Sequence, residues 1–74
     1  MKKIYKHITI TSEAKIIHNK KIAYEIFNTK NEDLLGYIFY EPNWKQYVFS
    51  AQPEIIFSVS CLQDIIDFIE NQIK

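Results

Sequence analysis

The sequence predicts an α+β domain, in which an antiparallel β-meander of three to five strands carries one C-terminal α-helix packed on one face. Two observations support this fold class. Residues 37–40 and 46–49 are mostly aromatic or β-branched and flank the turn-forming sequence Glu41-Pro42-Asn43, which is typical of a β-hairpin. Residues 60–74 instead carry aliphatic side chains at helical spacing. Because a hairpin needs a cover for its apolar face, we expect the helix to pack against it.

The C-terminal helix is predicted over residues 60–74. Ser60 and Gln63 have the spacing of a capping box, in which the serine hydroxyl accepts a hydrogen bond from the amide three residues later. Acidic residues early in the segment and Lys74 at its end suit the helix dipole. Five aliphatic residues at one-face spacing are predicted to form its core side: Leu62, Ile65, Ile66, Ile69 and Ile73.

The rest of the chain has the pattern of strands separated by polar turns. Residues 14–18 fit either a strand or a short helix, and the β-branched pair Ile16 and Ile17 favours the strand. Residues 29–33 form a polar loop of hairpin length. The other predicted strands, in chain order, are 3–11, 21–28, 34–40 and 46–51, with a short edge strand at 55–57.

The register of the central hairpin stays open at this point. With an odd number of loop residues, Tyr37 and Phe39 share a face with Tyr47 and Phe49, whereas an even number separates the two pairs. Pro42 fixes φ near the value of a type I turn, which favours a loop longer than two residues. Neither parity is excluded.

Length and composition indicate one small domain. The 74 residues form a single unit, divided into an N-terminal strand region (1–19), the meander (20–59) and the helix (60–74). A hydrophobic content of 47% is too high for a disordered chain. Gly36 is the only glycine, which leaves no room for a glycine-rich phosphate loop.

Charge is balanced overall but uneven along the chain. Residues 1–30 carry seven lysines and two glutamates (net +5), and residues 31–74 carry two lysines and seven acidic residues (net −5). There is no arginine, the residue that contacts guanine or phosphate with two parallel hydrogen bonds. Nucleic acid is therefore disfavoured as the main partner.

Cysteine usage and hydropathy point to a cytosolic location. Cys61 is the only cysteine, so no internal disulfide forms. The start of the chain is basic but has no apolar signal-peptide region after it, and no apolar run approaches membrane-spanning length. We therefore expect no membrane association.

No residue pattern predicts catalysis, a metal or a cofactor. His7 and His18 with a single cysteine lack metal-ligand spacing. Asp64 and Asp67 lie one helical turn apart, but a solvated face that compensates the helix dipole explains them. Cys61 near the helix N-terminus has a position that can activate a thiol, although packing beside the core also accounts for it. We expect no enzyme activity.

An interaction surface is predicted from the aromatic residues. One helix covers one sheet face, so aromatic groups on the other face either stay exposed or are shielded by the N-terminal strand region. A large exposed apolar patch is typical of a binding site. The candidate interaction residues are Tyr37, Phe39, Tyr40, Trp44 and Tyr47, together with Glu41, Asp64 and Asp67.

Two strings in the second half of the chain carry a family resemblance. Residues 44–49 (Trp-Lys-Gln-Tyr-Val-Phe) and 57–69, which include the string Cys-Leu-Gln-Asp-Ile-Ile-Asp-Phe-Ile, resemble a group of small orphan domains of bacteria and their phages. The likeness covers about residues 21–73. It implies a strand meander with a C-terminal helix and transfers no activity to any residue.

The leading functional hypothesis is a non-enzymatic interaction protein, namely a phage-encoded inhibitor that binds a host protein or a CRISPR-type defence complex. It depends on the missing catalytic motifs, the aromatic surface and the acidic second half. A homodimer is also left open. The alternatives are a small-ligand or nucleotide-binding oligomer that stacks on tyrosine and tryptophan, and a nucleic-acid-binding domain using Lys2, Lys3, Lys6, Lys15, Lys20 and Lys21.

Overall fold

The computed structural model describes residues 1–73, which form a five-stranded antiparallel sheet, a two-stranded ribbon and one C-terminal helix. The predicted α+β class is confirmed. The sheet has the order β1-β2-β5-β6-β7, so the ribbon β3-β4 is an insertion in an otherwise sequential meander. The elements are β1 (Lys2–Ile4), β2 (Ile8–Thr11), β3 (Ile17–His18), β4 (Lys21–Ile22), β5 (Tyr24–Asn28), β6 (Leu34–Glu41), β7 (Gln46–Ala51) and α1 (Val59–Asp67), which continues as a π-helical segment, Phe68–Ile73.

The predicted single strand at 3–11 is wrong, because the chain reverses in its middle. The amide of Tyr5 donates to the carbonyl oxygen of Ile8 at 2.8 Å, which closes a tight turn between β1 and β2. The two strands then pair antiparallel, with Lys3 opposite Ile10. Ile4, Ile8 and Ile10 all occupy even positions, so one continuous strand was predicted across Lys6, the residue at which this spacing is interrupted.

The ribbon β3–β4 confirms the preference for a strand at Ile17 and His18, although residues 14–16 are not in a strand. Asn19 and Lys20 have φ of 52° and 64°, the left-handed pair that a two-residue hairpin turn requires. The predicted strand 21–28 is interrupted at Ala23, whose amide donates to the carbonyl oxygen of Ile16 at 2.7 Å. The ribbon β3–β4 is therefore separate from the five-stranded sheet.

The central hairpin has the even parity. Its loop contains the four residues 42–45, and Tyr40 pairs with Tyr47 while Ile38 pairs with Phe49. Phe39 therefore faces away from Tyr47 and Phe49. The predicted edge strand at 55–57 is wrong: these residues belong to the connection between β7 and α1, where the Phe57 ring packs on Phe49 at 4.9 Å.

The helix begins at Val59, one residue earlier than predicted, and its N-cap lies two residues earlier. Ser58, not Ser60, is the N-cap: its hydroxyl accepts a hydrogen bond from the amide of Cys61 at 3.2 Å. Both serines have a suitable side chain, but Ser58 has the extended backbone of a cap residue, whereas Ser60 lies within the helix. The capping box proposed for Ser60 and Gln63 is therefore incorrect.

The core lies between the helix and one face of the sheet. Ile65 and Phe68 are buried, and the Phe68 ring contacts Tyr24 edge to face at 5.2 Å. The predicted core stripe is partly wrong, because Leu62 and Ile66 are exposed and Phe68 takes the central place. Ile69 and Ile73 pack at the core margin, and the sheet contributes Ile8, Ile10, Ile26 and Ile38.

Candidate protein-binding site

A groove opens between the C-terminal part of the helix and the turn end of the β6–β7 hairpin. Its volume is about 470 Å³. The helix lines it mainly with aliphatic side chains, and the sheet lines it with two tyrosines. We call this concavity the helix–hairpin groove; its lining residues are Lys21, Tyr40, Lys45, Gln46, Tyr47, Ile66, Ile69, Glu70 and Ile73.

Strand pairing positions the aromatic wall of the groove. Tyr40 on β6 and Tyr47 on β7 are register partners, so their side chains lie on the same face of the sheet. Their rings pack edge to face with centroids 5.5 Å apart. Lys21 Nζ lies 4.9 Å from the centroid of the Tyr40 ring, which is within cation–π range. This wall therefore combines aromatic surface with positive charge.

The helix presents a second apolar side next to the groove. Val59, Leu62 and Ile66 are exposed and follow at intervals of three and four residues, so they lie on one side of α1. We call these three residues the apolar stripe. Ile66 belongs to both the stripe and the groove, and its side chain is 58% exposed, whereas that of its neighbour Ile65 is 3% exposed.

Sequence reasoning missed this surface because it assigned Leu62 and Ile66 to the core. A signal was nevertheless present. The predicted core stripe has five aliphatic residues, but the segment contains three further apolar residues, Val59, Cys61 and Phe68. One buried helix face cannot hold all eight. A second apolar side follows from that surplus.

The turn of the central hairpin adds one large aromatic residue beside the groove. Trp44 is 68% exposed and precedes Lys45, which lines the groove. The turn is held by the Trp44 amide, which donates to the Glu41 carbonyl oxygen at 3.2 Å. The carboxylate of Glu41 accepts from the amide of Asn43 at 3.0 Å, so this predicted interaction residue stabilises the turn.

Two predicted interaction residues lie on the opposite face of the sheet. Tyr37 and Phe39 are half-buried there. The ribbon contacts this face through His18, whose ring packs edge to face on Phe39 at 4.7 Å. Asn19 on the ribbon turn also donates to the carbonyl oxygen of Tyr40 at 3.3 Å. The N-terminal region therefore shields part of the second face, which was one of the two expected arrangements.

The two predicted helix aspartates are separate from the groove. The Tyr5 hydroxyl donates to Asp67 Oδ2 at 2.7 Å, and the side-chain amide Nδ2 of Asn71 donates to Asp67 Oδ1 at 2.8 Å. The hydrogen bond from Tyr5, followed by that from Asn71, holds the pKa of Asp67 below its ordinary value. Burial, reinforced by the hydrogen bond to Asp67 and the nearby charge of Asp64, raises the pKa of Tyr5. Asp67 thus connects the helix to the N-terminal hairpin.

A second concavity, of about 310 Å³, lies over β1, β2 and β5 on the face away from the helix. It is lined by Lys2, Ile4 and polar residues that include Thr9 and Thr29, whose hydroxyls are hydrogen-bonded to each other at 3.0 Å. Lys2 lies on the edge strand β1, whereas Lys21 contacts Tyr40 on β6, with β2 and β5 between them. Lys2 and Lys21 therefore belong to different parts of the surface.

Residues 1–73 contain no group of three or more histidine, cysteine, aspartate or glutamate side chains arranged to hold a metal ion. Cys61 is half-buried and packs against the core cluster. In the same part of the chain, no helix has the length and apolar character needed to cross a membrane.

Neither family models, nor curated proteins, nor solved structures gave a match to this chain. The resemblance to small bacterial and phage domains stays a prediction.

Proposed function

We propose that this chain is a non-enzymatic interaction protein that binds a protein partner through the helix–hairpin groove and the apolar stripe. The observation that carries the proposal is the exposure of Ile66 where the two surfaces meet. Leaving apolar area in water costs roughly 25 cal/mol per Å², so a partner that covers these side chains gains that free energy. Exposed apolar patches of this kind are typical of protein–protein binding sites.

A protein partner fits this surface better than a small ligand does. The groove volume of about 470 Å³ is within the range of small-molecule sites. However, the apolar stripe continues from Ile66 towards Leu62 and Val59, along two further turns of the helix. A small molecule in the groove would leave that stripe in water, whereas a helix or an extended segment of another protein can cover both.

The distribution of charge favours protein over nucleic acid. Lys2 and Lys21 are separated by two intervening strands, and the groove itself contains Glu70 beside Lys21 and Lys45. Nucleic-acid sites instead concentrate cations along one continuous track, where they release counterions from phosphate. The chain as a whole has zero net charge.

Within this class, the role that we propose is inhibition of a host protein or of a CRISPR-type defence complex in the bacterial cytoplasm. A small domain with an exposed apolar site is suited to block a surface of a larger complex. The resemblance to small phage domains points the same way. Expression of the chain in cells with an active defence system should raise phage plating efficiency, and unchanged plating in every system tried contradicts this role.

The binding proposal is tested by affinity capture from bacterial lysate with two matched variants. Ile66→Asp places a charge in the groove, whereas Ile17→Asp places the same charge on the ribbon, at a residue that is 63% exposed. We expect a specific protein to be captured by the wild type and by Ile17→Asp but lost with Ile66→Asp. Equal capture by all three proteins contradicts the use of the groove. Circular dichroism of the variants checks that both are folded.

A further inference from the structure

The free edge of β7 carries unpaired backbone groups at every second residue. The amide of Gln52 donates to the carbonyl oxygen of Leu35 at 2.9 Å, and Gly36 pairs with Ala51. Gly36 and Ala51 are therefore a non-hydrogen-bonded pair, and hydrogen-bonded pairs alternate with it along the hairpin. It follows that the backbone N–H and C=O groups of Tyr47, Phe49 and Ala51 point away from β6.

The two edges of the sheet differ in how well they are protected against pairing with a strand of another chain. β1 has three residues, two of which are lysines, and short charged edges resist pairing with another chain. β7 has six residues, Gln-Tyr-Val-Phe-Ser-Ala, without a charge or a proline. Its pairing with β6 runs from Gly36 to Glu41 without a register shift, so no bulge interrupts the edge. Strands of this kind are templates for pairing with another strand.

We propose that two copies of this chain pair through β7 in antiparallel orientation, about a two-fold axis that passes through Phe49. In this register Phe49 pairs with Phe49 of the second copy, and Tyr47 pairs with Ala51 of the second copy on both sides. All three outward-pointing residues then exchange backbone hydrogen bonds. The two sheets join into one continuous sheet with both helices on the same face.

Charge supports the same register. Lys45 precedes β7 and Glu54 follows it, three residues beyond the last residue of the strand, and both are exposed. Antiparallel pairing centred on Phe49 brings Lys45 of one copy to the end of the strand where Glu54 of the other copy lies. The two-fold axis repeats this attraction at the opposite end.

The most exposed apolar residue also lies near the proposed axis. Ile56 is 94% exposed. Its neighbour Phe57 packs on Phe49, the residue on the axis, at 4.9 Å. The connection that carries Ile56 therefore runs close to the proposed axis, on the helix side of the sheet.

This inference does not depend on the proposed partner, and its first test is the mass of the isolated chain. Sedimentation equilibrium across a concentration series should show conversion to twice the chain mass of 8.9 kDa. Ala51→Pro removes an outward N–H and should raise the dimer dissociation constant by roughly tenfold or more, because each dimer loses two hydrogen bonds. Ile4→Pro does the same on the β1 edge and should leave dimerisation unchanged.

A monomer at all concentrations, or a folded Ala51→Pro protein that dimerises like the wild type, overturns the proposal. If Ala51→Pro does not fold, charge-reversal variants test the proposed dimer instead. Lys45→Glu and Glu54→Lys should each weaken the dimer, and the double variant should restore it. Additive weakening in the double variant contradicts the proposed register.

Discussion

Tyr5 and Asp67 are joined by a hydrogen bond of 2.7 Å between residues 62 positions apart in the chain. Tyr5 lies in the turn between β1 and β2, and Asp67 is the last residue of α1. This bond fixes the helix against the edge of the sheet that is farthest from β7. The groove on the other side of the helix depends on that placement.

The first prediction concerns Tyr5→Phe, which should destabilise the fold in a pH-dependent manner. Asp67 has a pKa held below its ordinary value of 3.8, first by Tyr5 and then by Asn71. A lowered carboxyl pKa contributes stability that is fully present above the unfolded-state value and is lost as pH falls through the folded-state value. The difference between wild type and Tyr5→Phe in urea midpoint should therefore be largest near neutral pH and shrink below about pH 3.8.

Tyr37→Phe on the opposite face of the sheet serves as the matched control for this measurement. It should shift the urea midpoint little, and by the same amount at every pH. A difference for Tyr5→Phe that stays constant through acid pH would mean that the ionisation of Asp67 is not coupled to this hydrogen bond.

The second prediction separates the two neighbouring isoleucines of the helix. Ile65→Ala should cost about 2–5 kcal/mol of unfolding free energy, because it opens a cavity in the core. Ile66→Ala should change it by no more than about 0.5 kcal/mol, because that side chain is exposed. Chemical denaturation of both variants measures the contrast, and equal losses would place both residues in the core.

The third prediction tests the start of the helix. Ser58→Ala should cost about 1 kcal/mol, because the Cys61 amide loses its acceptor. Ser60→Ala, within the helix, should have a much smaller effect. Thermal melts followed by circular dichroism compare the two variants. A greater loss of stability for Ser60→Ala would mean that Ser60 is the N-cap, as the sequence pattern suggested.

The fourth prediction concerns the close approach of β6 and β7 at Gly36. A Cβ added there would lie 3.2 Å from the Cα of Ala51 and closer still to the carbonyl oxygen of Ser50. Gly36→Ala should therefore cost about 1–3 kcal/mol, since the backbone of β7 must move. Ser50→Ala, at an exposed position of the same strand, is the control. An unaffected Gly36→Ala protein would mean that the strands can separate freely here.

The sequence predicts the class of fold and most elements, because alternation and helical spacing are local properties. It does not predict the parity of the hairpin, since that depends on whether the loop after Glu41 holds an odd or an even number of residues. It also misses the turn after Tyr5, because Ile4, Ile8 and Ile10 keep the even spacing of one strand on both sides of it. Both features depend on backbone hydrogen bonds that no side-chain pattern encodes.

The candidate site was predicted only in part, because burial of a helix side depends on packing contacts that the sequence pattern does not show. Tyr40, Trp44 and Tyr47 were identified as interaction residues and lie in or beside the groove. Ile66 was assigned to the core, because its spacing from Ile69 and Leu62 fits one helical face. Which of the two apolar sides of the helix is buried depends on its packing against the sheet, where the Phe68 ring contacts Tyr24. Helical spacing alone does not contain this information.

Hydrogen–deuterium exchange of the chain with and without its captured partner tests the central claim most directly. The account predicts slower exchange in residues 62–70, which include part of the apolar stripe and of the helix side of the groove, and in residues 45–47 on the hairpin side. Exchange in the ribbon, residues 17–22, should not change. Protection confined to the ribbon, with the helix unaffected, would contradict the proposed binding site.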